Sequence, residues 1–242
     1  MDGKGKNIIR EYVEAFAFAI IAALVLRAFV IQAFRIPTGS MKDTLLVGDF
    51  LLVNKFVYGA KTPDRIPILN VHLPSYRFPA VKKPKRGDII VFKYPKDETL
   101  DYIKRCVAVG GDTLEVKNGA VYINGHVREK LKFLRKKWDM EASHYINYYD
   151  VTTPQGQHYT IRFFDGIHPR NRNYGPIIVP KDSFFMMGDN RDNSADSRSW
   201  GFMPKKNIVG EALIIYLSWD KYGPIWDIFH KIRWNRIFNI IR

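Results

Sequence analysis

The segment TLEVKNGAVYINGHV, residues 113–127, indicates the fold class of this chain most clearly. It contains two Asn-Gly pairs, at 118–119 and 124–125, each flanked by short runs of strand-forming residues. Asn and Gly both tolerate the positive φ angles that two-residue hairpin turns require. The segment therefore predicts two consecutive β-hairpins.

Strand-length runs rich in Val, Ile, Phe and Tyr recur on both sides of this segment, which is the signature of further strands. They lie at residues 49–56, 88–94, 102–109, 159–164, 183–187 and 207–217. No internal repeat is visible. We expect a mainly β chain built on one antiparallel domain, with residues 125–183 as a less regular insertion or subdomain.

The composition is that of a globular protein, with 46% hydrophobic and 26% charged residues among 242. The single cysteine, Cys106, excludes an internal disulfide framework and a cysteine-based zinc cluster. The six histidines show no spacing typical of metal ligands. We therefore expect no metal and no organic cofactor.

The net charge of +14 favours an anionic partner, and nucleic acid, anionic lipid and acidic protein all qualify. The most basic run, REKLKFLRKK at residues 128–137, lacks the signature of any nucleic-acid-binding fold. It is typical of a solvated face, so we expect no nucleic-acid partner.

The N-terminal region reads as a membrane anchor. Twelve consecutive apolar residues, AFAFAIIAALVL at 15–26, are followed after Arg27 by a second apolar run that reaches Phe34. As a helix, residues 15–34 would rise roughly 30 Å, one hydrocarbon thickness. We expect an anchor over residues 12–34 and, by the positive-inside tendency, a cytosolic tail over residues 1–11. A cleaved signal sequence is the alternative, but residues 35–37 (RIP) lack the small residues of a cleavage site.

The C-terminal segment, residues 221–242, is basic and places isoleucines near helical spacing, with Trp226 and Trp234 among them. Two interpretations stay open: an amphipathic helix on the membrane surface, or a helix packed on the domain. Anionic lipid is the nearest partner for the positive charge of a membrane-tethered domain.

Common catalytic templates are absent. There is no G-x-S-x-G elbow and no H-E-x-x-H, and an S-x-x-K match at residues 218–221 lacks its companion motifs. The acidic run at residues 189–201 (DNRDNSADSRSWG) lacks the glycine and glutamate of an EF-hand loop.

Four segments remain, in this order behind the anchor: PTGSM (37–41), RGDIIVFKYP (86–95), DYIKRCVAV (101–109) and GDNRDNSADSRSWGF (188–202). Together they resemble bacterial signal peptidase I, the Ser/Lys leader peptidase family. The resemblance covers the anchor and most of residues 35–124 and 184–217. It implies a catalytic β domain formed by residues 35–124 and 184–220, on the outer side of the bacterial cytoplasmic membrane. It also implies an endopeptidase that removes signal peptides from exported preproteins after small residues.

By this resemblance, Ser40 is the nucleophile and Lys104 the general base. A free lysine has a pKa of about 10.4, so the amine must lose roughly 3 pKa units to act as a base near neutrality. Burial can supply that shift. On a strand, Lys104 shares a face with Tyr102, Cys106 and Ala108, and no acidic residue of that strand lies on the same face.

The resemblance also assigns supporting roles. Thr38 and the backbone N–H of Ser40 would form the oxyanion hole, and Ser194 would hydrogen-bond the lysine amine. The remaining assigned residues would form two supporting ion pairs: Asp196 with Arg198, and Asp189 with Arg105.

Two other functions stay open. One is a self-cleaving Ser/Lys repressor, which has no need of a membrane anchor. The other is a catalytically inactive, membrane-tethered binding or scaffold protein, which has no need of Ser40, Lys104 and Ser194 together. The oligomeric state is left open.

Overall fold

The computed structural model describes residues 3–62, 65–66, 71–72, 75–220 and 226–242. Its helices are α1 (Gly3–Phe29), α2 (Ser197–Trp200) and α3 (Ile228–Lys231). Its strands are β1 (Ile31–Arg35), β2 (Asp49–Asn54), β3 (Arg65–Ile66), β4 (Val71–His72), β5 (Ile89–Tyr94), β6 (Asp97–Val109), β7 (Thr113–Lys117), β8 (Ala120–Ile123), β9 (His126–Val127), β10 (Lys130–Asp139), β11 (His144–Thr152), β12 (His158–Phe164), β13 (Tyr174–Ile178), β14 (Ser183–Met187), β15 (Met203–Pro204) and β16 (Ile208–Ser218).

The two predicted hairpins are confirmed. Strands β7, β8 and β9 pair antiparallel in sequence order. The turns between them place Asn118 and Gly119 at φ 51° and 87°, and Asn124 and Gly125 at φ 52° and 80°. Positive φ at both central residues is the geometry that matches the twist of the flanking strands.

The main sheet has seven strands in the order β1-β2-β16-β5-β6-β14-β15. Its central strand, β5, lies in the core and buries side chains on both faces. Ile89 and Val91 pack into one apolar cluster, whereas Ile90 and Phe92 pack into another. A central strand with both faces covered positions its neighbour β6, the strand that carries Lys104.

Residues 125–183, expected as one insertion, divide between two sheets. Strands β9 and β13 belong to a four-stranded sheet of order β13-β7-β8-β9, while β10, β11 and β12 form a separate three-stranded sheet. The separate sheet has a small core of its own, built on Val151, Ile161 and Phe163. Most side chains of β10 are exposed, as expected for a solvated basic face, although Arg128 and Glu129 just before it are buried.

The expectation that the anchor helix reaches Phe34 is wrong. Helix α1 ends at Phe29, and its apolar part, Ile8–Phe29, is long enough to cross a bilayer. Residues 31–35 instead form β1, which pairs antiparallel with β2. These residues form a strand because β2 supplies hydrogen-bond partners for their backbone. Pro37 also favours extended backbone at the residue that precedes it. Ser40 thus follows the helix by eleven residues, a reach of at most about 40 Å.

The C-terminal segment is only briefly helical, and residues 221–225 lie outside the described residues. After α3 the chain forms a 3-10 turn at Trp234–Arg236 and then runs along β16, where the Phe238 N–H donates to the Ile215 carbonyl at 2.7 Å. Two of its described basic side chains turn inward: Lys231 is buried, and Arg236 pairs with the buried Asp49. Residues 226–242 therefore pack on the domain, and their aromatic side chains face outward.

Candidate active site

The loop that carries Ser40 is anchored in the core. Ser40 lies in a 3-10 helix, Gly39–Met41, and Thr38 precedes it in extended conformation at φ −127° and ψ 157°. Met41 and Leu45 are fully buried in the same apolar cluster. The Leu45 N–H donates to the Met41 carbonyl at 2.7 Å. The two buried side chains that follow Ser40 therefore fix its backbone against the sheet.

Strand β6 places Lys104 directly against this loop. Lys104 pairs with Ile90 of the central strand β5 and is only 4% exposed. Its Nζ lies 2.7 Å from Ser40 Oγ and also donates to the Ile103 carbonyl at 2.9 Å. The Tyr102 ring, expected on the same face, has its centroid 5.3 Å from Nζ. The amine is thus within hydrogen-bond distance of the hydroxyl and screened from water.

Burial lowers the pKa of the Lys104 amine from 10.5 to about 8, although the negative charges of Asp196 and Asp189 oppose the shift. From Tyr102 to Ala108, strand β6 itself has no acidic side chain on the face of Lys104, and these two carboxylates come from the segment after β14. Because a neutral amine accepts a proton, Lys104 can deprotonate the Ser40 hydroxyl at mildly alkaline pH.

The residue that follows Lys104 in β6, Arg105, forms a buried ion pair. Arg105 and Asp189 are 1% and 0% exposed and form two parallel bonds, Nε to Oδ1 at 2.9 Å and Nη2 to Oδ2 at 2.7 Å. The Thr44 hydroxyl donates to the same Asp189 Oδ2 at 2.5 Å. The structure thus joins the strand of the base to the loop of the nucleophile through one carboxylate.

The second expected pair is also formed. Arg198 donates from Nε and Nη2 to the two carboxylate oxygens of Asp196, at 2.9 and 2.8 Å. Asp196 also accepts from the Gly188 N–H at 3.0 Å. Burial raises the pKa of the Asp196 carboxyl, but the bonds and charge of Arg198, together with the bonds from Gly188 and Ser194, outweigh burial and leave that pKa below its ordinary value. A charged Asp196 therefore connects the two ends of the segment of residues 188–198, close enough to Lys104 to act on its pKa.

Asn190 and Gly188 complete the site, and sequence reasoning missed both. Asn190 donates from its backbone N–H to the Ser40 carbonyl and from Nδ2 to the Gly39 carbonyl, both at 3.0 Å. At Gly188 an added Cβ would lie 2.5 Å from the Ser40 carbonyl oxygen. An asparagine and a glycine in a polar run are typical of any turn, so no local pattern distinguishes them.

The geometry at Ser194 and Thr38 is less direct than the resemblance implies. Ser194 lies beside Gly188, and its buried side chain interacts with the Asp196 carboxyl and helps to lower its pKa, whereas the expected bond to Lys104 is not formed. Thr38 is exposed, and its hydroxyl does not cap the 3-10 helix that follows it.

A cleft of about 610 Å³ lies between residues of β1 and β6, and neither Ser40 nor Lys104 is among the residues that line it. One wall includes Gln32 and Phe34 of β1, and the other includes Asp101 of β6, three residues before Lys104. Four lysines also line it: Lys55, Lys61, Lys93 and Lys206. Among the strands that the structure describes, β1 lies at the edge of the main sheet, and no described strand pairs with its outer side.

Within the described part of the chain, no group of three or more His, Cys, Asp or Glu side chains is arranged to hold a metal ion. The groups that could take part in catalysis here are the hydroxyl of Ser40 and the amine of Lys104.

Comparison with known proteins gives a consistent result. Residues 9–219 match the family described as signal peptidase, peptidase S26. Signal peptidase I of Pseudomonas aeruginosa PAO1 is 38% identical over 88% of this chain and 74% of its own length. Signal peptidase I of Buchnera aphidicola from Acyrthosiphon pisum is 35% identical over 98% of this chain and 83% of its own length.

A solved structure of a signal peptidase I from Enterococcus faecalis V583 is 28% identical and covers 54% of this chain and 97% of that one. Its TM-score of 0.32 is too low to support an argument about the fold. The family match and the two relatives, with the apolar helix α1, are sufficient. The chain belongs to the signal peptidase family, peptidase S26, and is a membrane-anchored serine endopeptidase.

Proposed function

We propose that this protein removes N-terminal signal peptides from exported preproteins, with Ser40 as nucleophile and Lys104 as general base. The observation that carries the proposal is the 2.7 Å contact between Lys104 Nζ and Ser40 Oγ in a buried setting. A serine hydroxyl attacks an amide slowly unless a nearby base removes its proton. No histidine contacts Ser40 in the described structure, and the lysine amine occupies that place.

The reaction then follows in two halves. Ser40 Oγ bonds to the carbonyl carbon that ends the signal peptide, and neutral Lys104 takes the hydroxyl proton. When the C–N bond breaks, the Lys104 ammonium returns that proton to the leaving amine of the mature protein. The same amine activates water in the second half, which releases the signal peptide from the acyl-enzyme.

The negative oxygen of each tetrahedral intermediate needs hydrogen-bond donors. We assign the Ser40 N–H and the Thr38 hydroxyl to this role. Thr38 is exposed and makes no capping bond, so its side chain can rotate toward the oxyanion when substrate binds. Asn190 holds the Gly39 and Ser40 carbonyls, which orients the peptide unit that carries the Ser40 N–H.

The substrate would bind as an added strand on β1. An extended peptide there pairs with the free edge of the sheet, and the cleft beside β1 receives alternate side chains. Two residues that line this cleft are close in sequence to the dyad: Phe34 precedes Ser40 by six residues, and Asp101 precedes Lys104 by three.

The topology is part of the same proposal. Residues 1–11 would be cytosolic, and the domain would lie on the outer side of the bacterial cytoplasmic membrane. The catalytic domain would comprise residues 35–124 and 184–220. The positive-inside tendency supports this orientation, because Lys4, Lys6 and Arg10 precede the apolar run.

We further propose that the outward aromatic side chains of residues 226–240 touch the lipid surface. Trp226, Phe229, Trp234 and Phe238 are all more than half exposed, and tryptophan favours the membrane interface. The net charge of +14 adds attraction to anionic lipid. In vesicles with brominated acyl chains, replacing both tryptophans by phenylalanine should remove most of the lipid-dependent fluorescence quenching. Quenching equal to that of the wild type would refute this contact.

Incubation of the detergent-solubilised protein with a purified preprotein tests the main proposal. We expect one cut after a small residue at the end of the signal peptide, identified by sequencing the new N-terminus. A folded protein that leaves the preprotein intact would favour the inactive scaffold.

A further inference from the structure

Two separate parts of the chain hold the loop that carries Ser40. On one side, Asn190 binds the Gly39 and Ser40 carbonyls. On the other side, the side chain of Lys42 reaches the turn between β10 and β11, in the separate three-stranded sheet. That sheet belongs to the part of the chain that the four resembling segments left unmatched, so its contact with the loop is unexpected.

The contact is an ion-pair cluster with Lys42 at its centre. Lys42 Nζ donates to Asp139 Oδ2 and to Glu141 Oε2, both at 2.9 Å. Asp139 also accepts from Nη2 of Arg162 at 2.8 Å, and the Arg162 side chain is 2% exposed. Charged hydrogen bonds with a buried partner are stronger and better aligned than exposed ion pairs.

The backbone of the loop is bent at the next residue. Asp43 has φ 84°, in the left-handed region that a non-glycine residue adopts at a cost of about 1–3 kcal/mol. Such a conformation persists only where the surroundings enforce it. The ion pairs of Lys42 and the buried side chains of Met41 and Leu45, which lie before and after the bend, provide that constraint.

Arg162 connects the Lys42 contact with the Asn190 contact. Its backbone N–H donates to the Asp189 carbonyl, and its carbonyl accepts from the Arg191 N–H, both at 3.0 Å. Asn190 lies between these two residues and binds the Ser40 carbonyl. The β10–β11 turn, β12, the segment after β14 and the nucleophile loop therefore form one connected frame.

We propose that Lys42 is a positioning residue, which binds the β10–β11 turn so that the loop of residues 39–43 presents the Ser40 hydroxyl to Lys104. The proposal rests on the proposed peptidase function for its kinetic test. It gives the three-stranded sheet a role in catalysis: the sheet supplies the surface against which the nucleophile loop is held.

Lys42 and Asp139 both stay charged throughout the range in which Lys104 titrates. Burial raises the pKa of the Asp139 carboxyl, but the bond from Lys42 and the nearby Arg162 outweigh it and lower that pKa to about 2. Burial lowers the pKa of the Lys42 amine, but its bonds to Asp139 and Glu141 leave it above 10.5. Loss of Lys42 should therefore change the rate without moving the alkaline midpoint that belongs to Lys104.

The test replaces Lys42 by methionine, which keeps the length of the side chain and removes its charge. We expect kcat for preprotein cleavage to fall by roughly 10- to 100-fold because small displacements of a nucleophile are costly. KM should change by less than about threefold, and the pH midpoint should stay in place. Hydrogen exchange of amides 40–43 should accelerate, while that of β5 and β6 should not. Lys42→Arg, which can reach both carboxylates, should restore most of kcat.

Lys136→Met is the matched control. Lys136 also lies on the three-stranded sheet and pairs with Asp165 at 2.5 Å, but neither residue contacts the loop. It should leave kcat and the exchange of amides 40–43 unchanged. The proposal is wrong if Lys42→Met keeps the wild-type kcat, if exchange at 40–43 does not change, or if Lys136→Met has the same effects. The exchange result stands even if no preprotein is cleaved, so the failure of this proposal is distinguishable from that of the peptidase function.

Discussion

Replacing Lys104 by methionine should reduce preprotein cleavage by at least about 10⁴-fold, and Ser40→Ala should have the same effect. Removal of either partner of a nucleophile–base pair in a serine peptidase costs this much, and the losses do not add because the pair works as a unit. The double variant should therefore be no slower than either single variant. Initial rates of preprotein cleavage, measured at several pH values, give the comparison.

Lys104→Met should also stabilise the folded protein at pH 6.5. Below pH 8 the wild type carries a buried ammonium, and a pKa lowered from 10.5 to about 8 corresponds to a cost of about 3 kcal/mol. Because the folded-state pKa is the lower one, the wild type gains stability as the pH rises from 8 to 10.5, and the difference should shrink there. Thermal unfolding in detergent measures it.

Lys117→Met serves as the control because Lys117 is exposed on β7, away from the dyad. It should change neither activity nor the pH dependence of stability. Wild-type cleavage by Lys104→Met would exclude this lysine as the base.

Gly188→Ala should reduce kcat by about 100-fold or more. The added Cβ would lie 2.5 Å from the Ser40 carbonyl oxygen and 2.2 Å from Ser194 Oγ, both too close for any stable contact. The side chain of Ser194 can rotate away, but the Ser40 carbonyl is held by the Asn190 N–H at 3.0 Å. The nucleophile itself must therefore move, and displacements of about 1 Å are costly in rate. Steady-state cleavage kinetics measure the loss.

A second substitution identifies the contact responsible. Ser194→Gly in the Gly188→Ala background removes the 2.2 Å clash but leaves the carbonyl clash, so it should not restore kcat. Gly125→Ala is the control for strain alone, since its Cβ meets nothing within 4 Å although φ is +80°. It should lower stability and leave kcat unchanged. Full recovery by Ser194→Gly, or a wild-type kcat in folded Gly188→Ala, would contradict this explanation.

Local patterns predicted the fold well where local chemistry decides it. The Asn-Gly pairs at 118–119 and 124–125 dictate their turns, and the run at 183–187 coincides with β14. The end of α1 was misplaced because residues 31–35 are apolar enough for a helix, and only their pairing with β2 makes them a strand. A single sequence contains no signal for a partner that lies fifteen or more residues away.

The site could be predicted only as far as its motifs extend. Ser40, Lys104 and the two ion pairs lie in segments that resemble a known family, and the structure brings them together. The carboxylates that oppose the pKa shift of Lys104 come from another segment, so the sequence of β6 alone gives no indication of them. Lys42 is inconspicuous in sequence because its partners, Asp139 and Glu141, are nearly a hundred residues away.

The most direct test concerns the charge of one amine. The rate at which acetic anhydride acetylates Lys104, followed by mass spectrometry against pH in the folded protein, reports the fraction of neutral amine. The rate should rise with a midpoint at about pH 8, well below that of an exposed lysine such as Lys117 in the same sample. A midpoint for Lys104 at or above 10.5 would mean that the amine stays protonated where the enzyme must work, and Lys104 could not be the base.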